Sequence, residues 1–442
     1  MATDASTSRA DRGFANILRN LAWLVGGKGF GALCSLVYLA VLSRSLGLKD
    51  FGHFSLIFGT GQALVAIASF QTWQTIVKFG ADPVHRGEWA KFGRLAWLCG
   101  SIDVAGATLG SVVAAIIYYG FGDALGLNPR FIDMAFAFNC ALLWSRLTTP
   151  NGIVRVLDRF DLGTYVEAVV PIGRLLASFA IVLTGASVGR FLFAWAFFDL
   201  LAAALYWFVA WRIIPEALHR GNLVRPQDSL AENPGLGKFF GITYLSSTLD
   251  AIYKQGPLLA VGYFLGTSAA GLYRLADQLA QGIGKLSSLM TRAVFPEFAL
   301  ARIGSTADDF RKLVRKVTML AGAAGLLILA VAYFAGEAVL LAIGGPAFVG
   351  GAAILMPLAL GAAFELAAVA YEPLLYSTGH APYPLAVRGL AVVILGISIV
   401  TLVPLGPLGI GYAVAIGLAV AYFLMSVTAF IVLRSSTRHE AR

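Results

Sequence analysis

Apolar runs long enough to cross a bilayer recur along the whole chain, separated by short polar joints. A bilayer-crossing helix takes about 20 mostly apolar residues, and runs of that kind fall near 20–43, 53–77, 95–119, 131–149, 165–185 and 190–211. A polar stretch with the chemistry of a linker follows over 212–238, carrying Pro215, Arg220, Arg225, Pro226, Glu232 and Pro234. Six more runs lie near 239–263, 267–291, 317–336, 351–377, 384–403 and 408–433. The pattern predicts an all-α polytopic membrane protein of twelve transmembrane helices, six plus six: a tail 1–19, a first half 20–211, the linker 212–238, a second half 239–433 and a tail 434–442. Strand-length alternation, the mark of an outer-membrane barrel, is absent from the sequence.

Residues 1–13 are polar and read as a disordered tail. The first apolar run is too long and too poorly flanked for a cleaved signal peptide, so it reads as a retained anchor. Before it, Phe14, Ile17, Leu18 and Leu21 recur at helical spacing beside Arg12 and Arg19. That fits a short helix on the lipid surface or an early start to the first span, the reading we prefer.

Composition narrows the class. Of 442 residues, 58% are hydrophobic and only 13% charged. A soluble domain is about a quarter charged, so a soluble enzyme is excluded. The net charge of +9 would suit nucleic acid, but Lys and Arg sit in short clusters between apolar runs rather than along one face. They report topology, and no nucleic-acid partner is expected. The even-numbered joints and the two tails carry 22 basic residues, the odd-numbered joints four, Arg44, Lys49, Arg130 and Arg190. The positive-inside rule then puts both termini in the cytoplasm. The eighth joint, where Ser305, Thr306, Asp308 and Asp309 precede Phe310, Leu313, Val314 and Val317, reads as a capped helix entering the ninth span. Cys34, Cys99 and Cys140 lie in apolar segments without paired spacing, and the five histidines are scattered. No metal site, cofactor or catalytic set can be assembled from them.

An internal echo is visible. Leu46-Gly47 to Gly52-His53-Phe54 and Leu265-Gly266 to Gly271-Leu272-Tyr273 both fit LGxxxxGx[FY], and at the same offset Leu56 meets Leu275 and Gln62 meets Gln281. Transporters are commonly built from such repeats. With Asn20 to Trp23, Ser43 to Phe54, Phe295-Pro296-Glu297-Phe298 and Gly345-Pro346-Ala347-Phe348, the chain resembles the multidrug/oligosaccharidyl-lipid/polysaccharide exporter superfamily, in its polysaccharide biosynthesis or O-antigen flippase branch, over about residues 15–433. The resemblance implies two six-helix pseudo-repeat bundles around a central cavity that opens alternately to each side of a bacterial inner membrane. It implies outward movement of a polyprenyl-diphosphate-linked glycan, among membrane lipids, with a polysaccharide polymerase and export machinery as candidate partners. None of these motifs is catalytic. A cation-coupled multidrug exporter is the nearest competing reading. A peptidoglycan-precursor flippase would have two further spans. A membrane-embedded glycan polymerase or acyltransferase is disfavoured by the short outer joints, poor in His, Asp and Glu.

Ionisable residues inside spans mark cavities, partners or coupling ions. The basic ones are Lys28, Arg146, Arg174, Lys254, Arg274, Lys285 and Arg388; the acids are Asp103, Glu167, Asp199, Asp250, Asp277, Glu365 and Glu372. Asp250 and Lys254 have the spacing of a helical ion pair, as do Arg274 and Asp277. Arg274, Asp277, Gln281 and Lys285 make one polar stripe, which should face an aqueous cavity or a charged neighbour. Glu167 shares a face with Arg174, and Glu372 is within reach of Arg388. Arg146 reads as snorkelling to the headgroups. Gly26-Gly27-Lys28-Gly29 and Lys254-Gln255-Gly256-Pro257 read as helix interruptions in the first span of each half, where binding sites form in repeat transporters. For the substrate that the resemblance implies, Lys28, Arg174, Lys254 and Arg274 are the candidates to hold the diphosphate. Asp103, Asp199, Asp250, Asp277 and Glu365 are candidates for ion coupling or charge pairing. Trp73, Tyr244, Tyr253 and Tyr371 are candidates to stack on sugar faces.

Overall fold

The computed structural model describes residues 9–122, 126–304, 307–378, 380 and 382–440. Among them every regular element is helical: α1 (Arg9–Ala68), α2 (Thr72–His85), α3 (Trp89–Ala115), α4 (Ile132–Ser145), α5 (Thr149–Val156), α6 (Phe160–Thr184), α7 (Val188–Ile213), α8 (Pro226–Glu232), α9 (Leu236–Gly304), α10 (Ala307–Gly344), α11 (Ala352–Ala367), α12 (Tyr371–Ser377), α13 (Pro382–Leu402) and α14 (Pro407–Glu440). Helices alone satisfy backbone polar groups within hydrocarbon without edge pairing. Nine helical stretches among the described residues are long and apolar enough to cross a membrane.

Two of those stretches hold two of the expected spans each. A straight 60-residue helix such as α1 would run about 90 Å, three times the ~30 Å hydrocarbon thickness. It is interrupted at Gly47 (φ 70°, ψ 177°), and α9 is interrupted in the same way at Gly266 (φ 82°, ψ 179°). That backbone region is open essentially to glycine alone, which is why the echoed motif carries glycine there. The fourth expected span is not a single helix: α4 has only 14 residues, and α5 resumes after a break at 146–148.

Contacts divide the chain into two compact units, Cys34–Gly271 and Met1–Leu33 with Leu272–Arg442. These boundaries differ from the sequence division at 211 and 239. The 212–238 segment is not a bare linker: it forms α8 and is tied to α3 by Arg94–Glu232 (2.8 Å). In the first unit, the second limb of α1 packs on α9. A Cβ at Gly52 would strike the Thr267 carbonyl, and a Cβ at Gly271 would lie 2.6 Å from the Leu48 carbonyl oxygen. Leu48 and Thr267 are themselves equivalent positions of the echoed motif, so its two copies meet reciprocally. Gly262 and Gly59 extend the seam, receiving Leu56 and Leu258.

In the second unit, α11 packs between α10 and α14, with α13 on α14. A core of Ile17, Met290, Val294, Phe298, Phe310, Leu313 and Val314 ties the start of α1 to the ends where α9 and α10 meet. Helix α1 begins at Arg9, so the expected disordered tail is helical from there. Residues 1–8 lie outside the described residues, as do Ser305 and Thr306 of the expected cap. Ile17 is fully buried, which agrees with an early helix start rather than a helix resting on lipid.

Candidate functional site

Two expected helix interruptions are absent. The backbone angles of α9 stay helical through Lys254-Gln255-Gly256-Pro257, and those of α1 through Gly26–Gly31, the departures in each being Gly266 and Gly47. A proline in a spanning helix is tolerated where neighbours re-satisfy the freed carbonyl. The breaks come elsewhere, at 69–71 between α1 and α2, at 146–148 between α4 and α5, and at 368–370 between α11 and α12.

The first two breaks converge on Asp103. This buried carboxylate accepts from Thr72 Oγ1 (2.8 Å), the first residue of α2, through one oxygen. The other oxygen accepts from both the backbone N–H and Oγ1 of Thr149 (2.8 Å each), the first residue of α5. Thr148 Oγ1 lies 2.7 Å from Thr72 Oγ1 and closes the network. Gln71 holds the left-handed conformation (φ 52°) that lets α2 start afresh. One carboxylate therefore joins two helix starts, where the positive helix ends favour its charge. Beside it is a water-sized cavity of about 10 Å³ walled by Ser69, Asp103, Leu143 and Arg146.

In the same unit, Arg174 on α6 and Asp199 on α7 form a buried ion pair, Nη2 to Oδ2 at 2.7 Å. The guanidinium also lies 5.1 Å from the centre of the Trp195 ring, which is met edge-on by Tyr38, Phe54 and Phe191. Arg174 Nε has no acceptor among the described residues. Glu167 does not join this pair; it lies 3.7 Å from Arg155 and accepts from Tyr206. Nearby in the fold, Asn139 donates to Tyr118 Oη and to the Ala135 carbonyl. Lys254 is exposed and Asp250 half-buried on α9. Arg146 is exposed at the end of α4, where it also lines the cavity beside Asp103.

The other unit holds the charged stripe. Arg274 and Asp277 are both buried, with Nη1 3.7 Å from Oδ2. Asp277 accepts from Gln281 Nε2 (2.7 Å). Gln278, with its amide oxygen turned toward the donors around it, accepts from Arg274 Nη2 (2.5 Å) and Nε (3.1 Å). Lys285 and Glu365 are exposed, and the Glu365 backbone carbonyl accepts from Ser287. Arg388 pairs with Glu372 at 2.7 Å, the partner that its position suggests, and Tyr376 donates to the same carboxylate. Lys28 lies on the first limb of α1, its side chain outside the described residues.

The head-group candidates thus fall as Arg174 and Lys254 in one unit, Lys28 and Arg274 in the other. Both arginines stand beside a carboxylate, and Lys254 is open. Of the aromatic candidates, Tyr244 donates to the Ile67 carbonyl (2.9 Å) and packs on Phe70, and Trp73 lies under Arg155. The Asp103 network joins residues far apart along the chain, and sequence reasoning had no signal for it beyond the clustered threonines. Among the described residues no group of His, Cys, Asp and Glu could hold a metal ion.

Residues 17–301 match a family model described as polysaccharide biosynthesis protein. The inner membrane protein YghQ of Escherichia coli (strain K12) is 25% identical over 321 residues, which is 72% of this chain and 90% of that protein. Among solved structures, an inward-facing multidrug resistance transporter of the MATE family aligns with a TM-score of 0.77 at 12% identity, covering 92% of this chain and 96% of its own. The lipid II flippase MurJ in an inward closed conformation aligns with a TM-score of 0.66 at 11% identity, covering 91% and 86%. These two likenesses are of fold.

Proposed function

Since the chain belongs to the polysaccharide biosynthesis protein family, within the multidrug/oligosaccharidyl-lipid/polysaccharide exporter superfamily, we propose that it is an inner-membrane flippase for a polyprenyl-diphosphate-linked oligosaccharide, an O-antigen or exopolysaccharide repeat unit. It works by alternating access of two six-helix lobes, 20–211 and 239–433, with twelve crossings and both termini in the cytoplasm. The nine apolar stretches support a multi-pass membrane protein. Two interrupted stretches and the broken α4–α5 run supply the material for three further crossings. The transport itself requires no covalent chemistry from the chain.

The observation that carries the reading is the set of cations on apolar spans in a chain of this family. A diphosphate with sugars attached cannot cross hydrocarbon bare, and Lys or Arg replaces water around its oxygens. In this reading Lys254, exposed on α9, makes the first contact and Lys28 takes part as a second cation. Arg174 and Arg274 reach the diphosphate only as it displaces Asp199 or Asp277, so that substrate entry and carboxylate release are one event.

Deleting the gene tests the substrate. Loss of a surface polysaccharide with build-up of its lipid-linked intermediate is the expected outcome; sensitivity to cationic drugs with intact polysaccharide would instead mark a multidrug exporter. In the complemented strain, Lys254→Ala at matched membrane level should reduce surface glycan about tenfold, the scale of one lost charge-assisted contact. Unchanged glycan would remove Lys254 from the path.

A further inference from the structure

Beside the turn that joins α6 and α7, an apolar groove of about 370 Å³ opens on the surface of the unit Cys34–Gly271. Its walls mix small side chains, Ala177, Ala180 and Thr184 from α6 and Gly189 and Ala194 from α7, with the larger Ile181 and Phe193. From Ala177 to Thr184 is about 10 Å along the helix, roughly two thirds of the ~15 Å of hydrocarbon in one leaflet. Phe193 in the groove wall is exposed, and so are Leu176, Phe179, Leu183 and Phe197 elsewhere on the same two helices. On a pair of spanning helices such a surface is the wall that meets lipid.

Arg190 lines the same groove. Its Nη1 donates to the carbonyls of Thr184 (2.5 Å) and Gly185 (2.7 Å), the orphan acceptors at the end of α6. Gly185 has φ +110°, and a Cβ there would sit 3.3 Å from Nη1, so glycine both permits the turn and leaves room for the guanidinium. One edge of the fork is therefore held by the backbone. The Nε–Nη2 edge meets no acceptor among the described residues. Arg190 is also one of the four basic residues in joints where the topology places few cations, so the positive-inside rule does not account for it.

We propose that this groove is a phospholipid site, in which one acyl chain lies along Ala177–Thr184 and the phosphate of an anionic phosphodiester headgroup takes the open edge of Arg190. A guanidinium fork matches two phosphate oxygens at once, and its anchoring to two carbonyls removes most of the ordering cost of that contact. The groove's length suits part of one acyl chain, and its lining offers a glycan no polar side chain beyond Thr184 and Arg190. The site is independent of the transported substrate, and it holds whether or not the flippase reading does.

The test uses the purified full chain, stripped of lipid and titrated with dioleoylphosphatidylglycerol, with bound lipid counted by native mass spectrometry and uncharged dioleoylglycerol as comparator. The wild type should retain one phosphatidylglycerol. Arg190→Gln should weaken that binding about tenfold, Ala180→Trp should block it by filling the groove, and Leu183→Phe, on the exposed flank, should leave it unchanged. Ala180 is itself exposed, so its variant tests the groove without disturbing a core. Wild-type occupancy in both Arg190→Gln and Ala180→Trp, or equal affinity for dioleoylglycerol, would overturn the proposal.

Discussion

Gly47 and Gly266 each interrupt a long helix, and the limb that follows each carries a second glycine, Gly52 and Gly271, at the reciprocal crossing. Beyond that point the limbs part. Where the first has Ser55, Phe58, Gly59, Gln62 and Ala66, the second has Arg274, Asp277, Gln278, Gln281 and Lys285. Ser55 returns its hydroxyl to the Phe51 carbonyl (2.6 Å), and Leu56 fills the space over Gly262. The second limb instead buries a guanidinium and a carboxylate, with two half-buried amides bonded to them. The shared glycines are demanded by backbone geometry, which both limbs must solve. The charges are demanded by nothing in that geometry, so they are the part of the second limb open to specialisation for function.

Installing one limb's chemistry in the other is the severest trial of this contrast. Ser55 is 1% exposed, and Ser55→Arg would bury a cation among apolar neighbours without its carboxylate, at a cost of about 3–5 kcal/mol. We expect the variant to be lost from the membrane. Adding Phe58→Asp, which completes the Arg274–Asp277 spacing, should restore part of the protein level. A stable, abundant single variant would show that the first limb already faces a polar space, and the contrast would fail.

Much of this was legible in the sequence, and the rest was hidden for identifiable reasons. The echoed LGxxxxGx[FY] motif located both glycine interruptions, because only glycine fits that backbone region. The Arg388–Glu372 pair followed from helical faces. Gly256-Pro257 suggested an interruption that the fold does not make, since proline in a spanning helix is a weak breaker. The break at 69–71 occurs in Ser69-Phe70-Gln71, with neither glycine nor proline, and is stabilised by a carboxylate far along the chain, Asp103. Arg174 and Asp199 meet because α6 and α7 pack antiparallel across the turn at 185–187, a contact between helices that the shared face of Glu167 and Arg174 on one helix does not disclose. A second echo is too short to stand out in the sequence: Pro129-Arg130-Phe131 and Pro346-Ala347-Phe348 both open tight turns with buried phenylalanines, at nearly the same offset as the glycine motif.

The crossing itself can be broken from either side. Gly52→Val and Gly271→Val each force a branched side chain into an opposing carbonyl, which overpacking places at about 1–3 kcal/mol. Reciprocity predicts that the two lower the melting temperature in detergent by similar amounts. Gly47 and Gly266 meet nothing within 4 Å, so Gly47→Ala and Gly266→Ala carry backbone strain alone, about 1–3 kcal/mol. Val at Gly52 harmless beside a severe Gly271→Val would mean that the contact is one-sided and that the repeat does not extend to packing.

The finest distinction concerns what the second limb's arginine supplies, charge or fork. Arg274→Lys keeps a cation near Asp277 but loses the two-bond contact with Gln278, a change of about 1 kcal/mol in stability. If the cation answers to a diphosphate, Arg274→Lys should retain most glycan export while Arg274→Ala loses it at the same membrane level. Ser55→Ala, the matching change in the first limb, gives up one bond within its own helix and should alter stability by no more than about 0.5 kcal/mol, with export untouched. Equal export from Arg274→Ala and Ser55→Ala would make the charged stripe a packing device, and the two limbs would then differ in composition without differing in role.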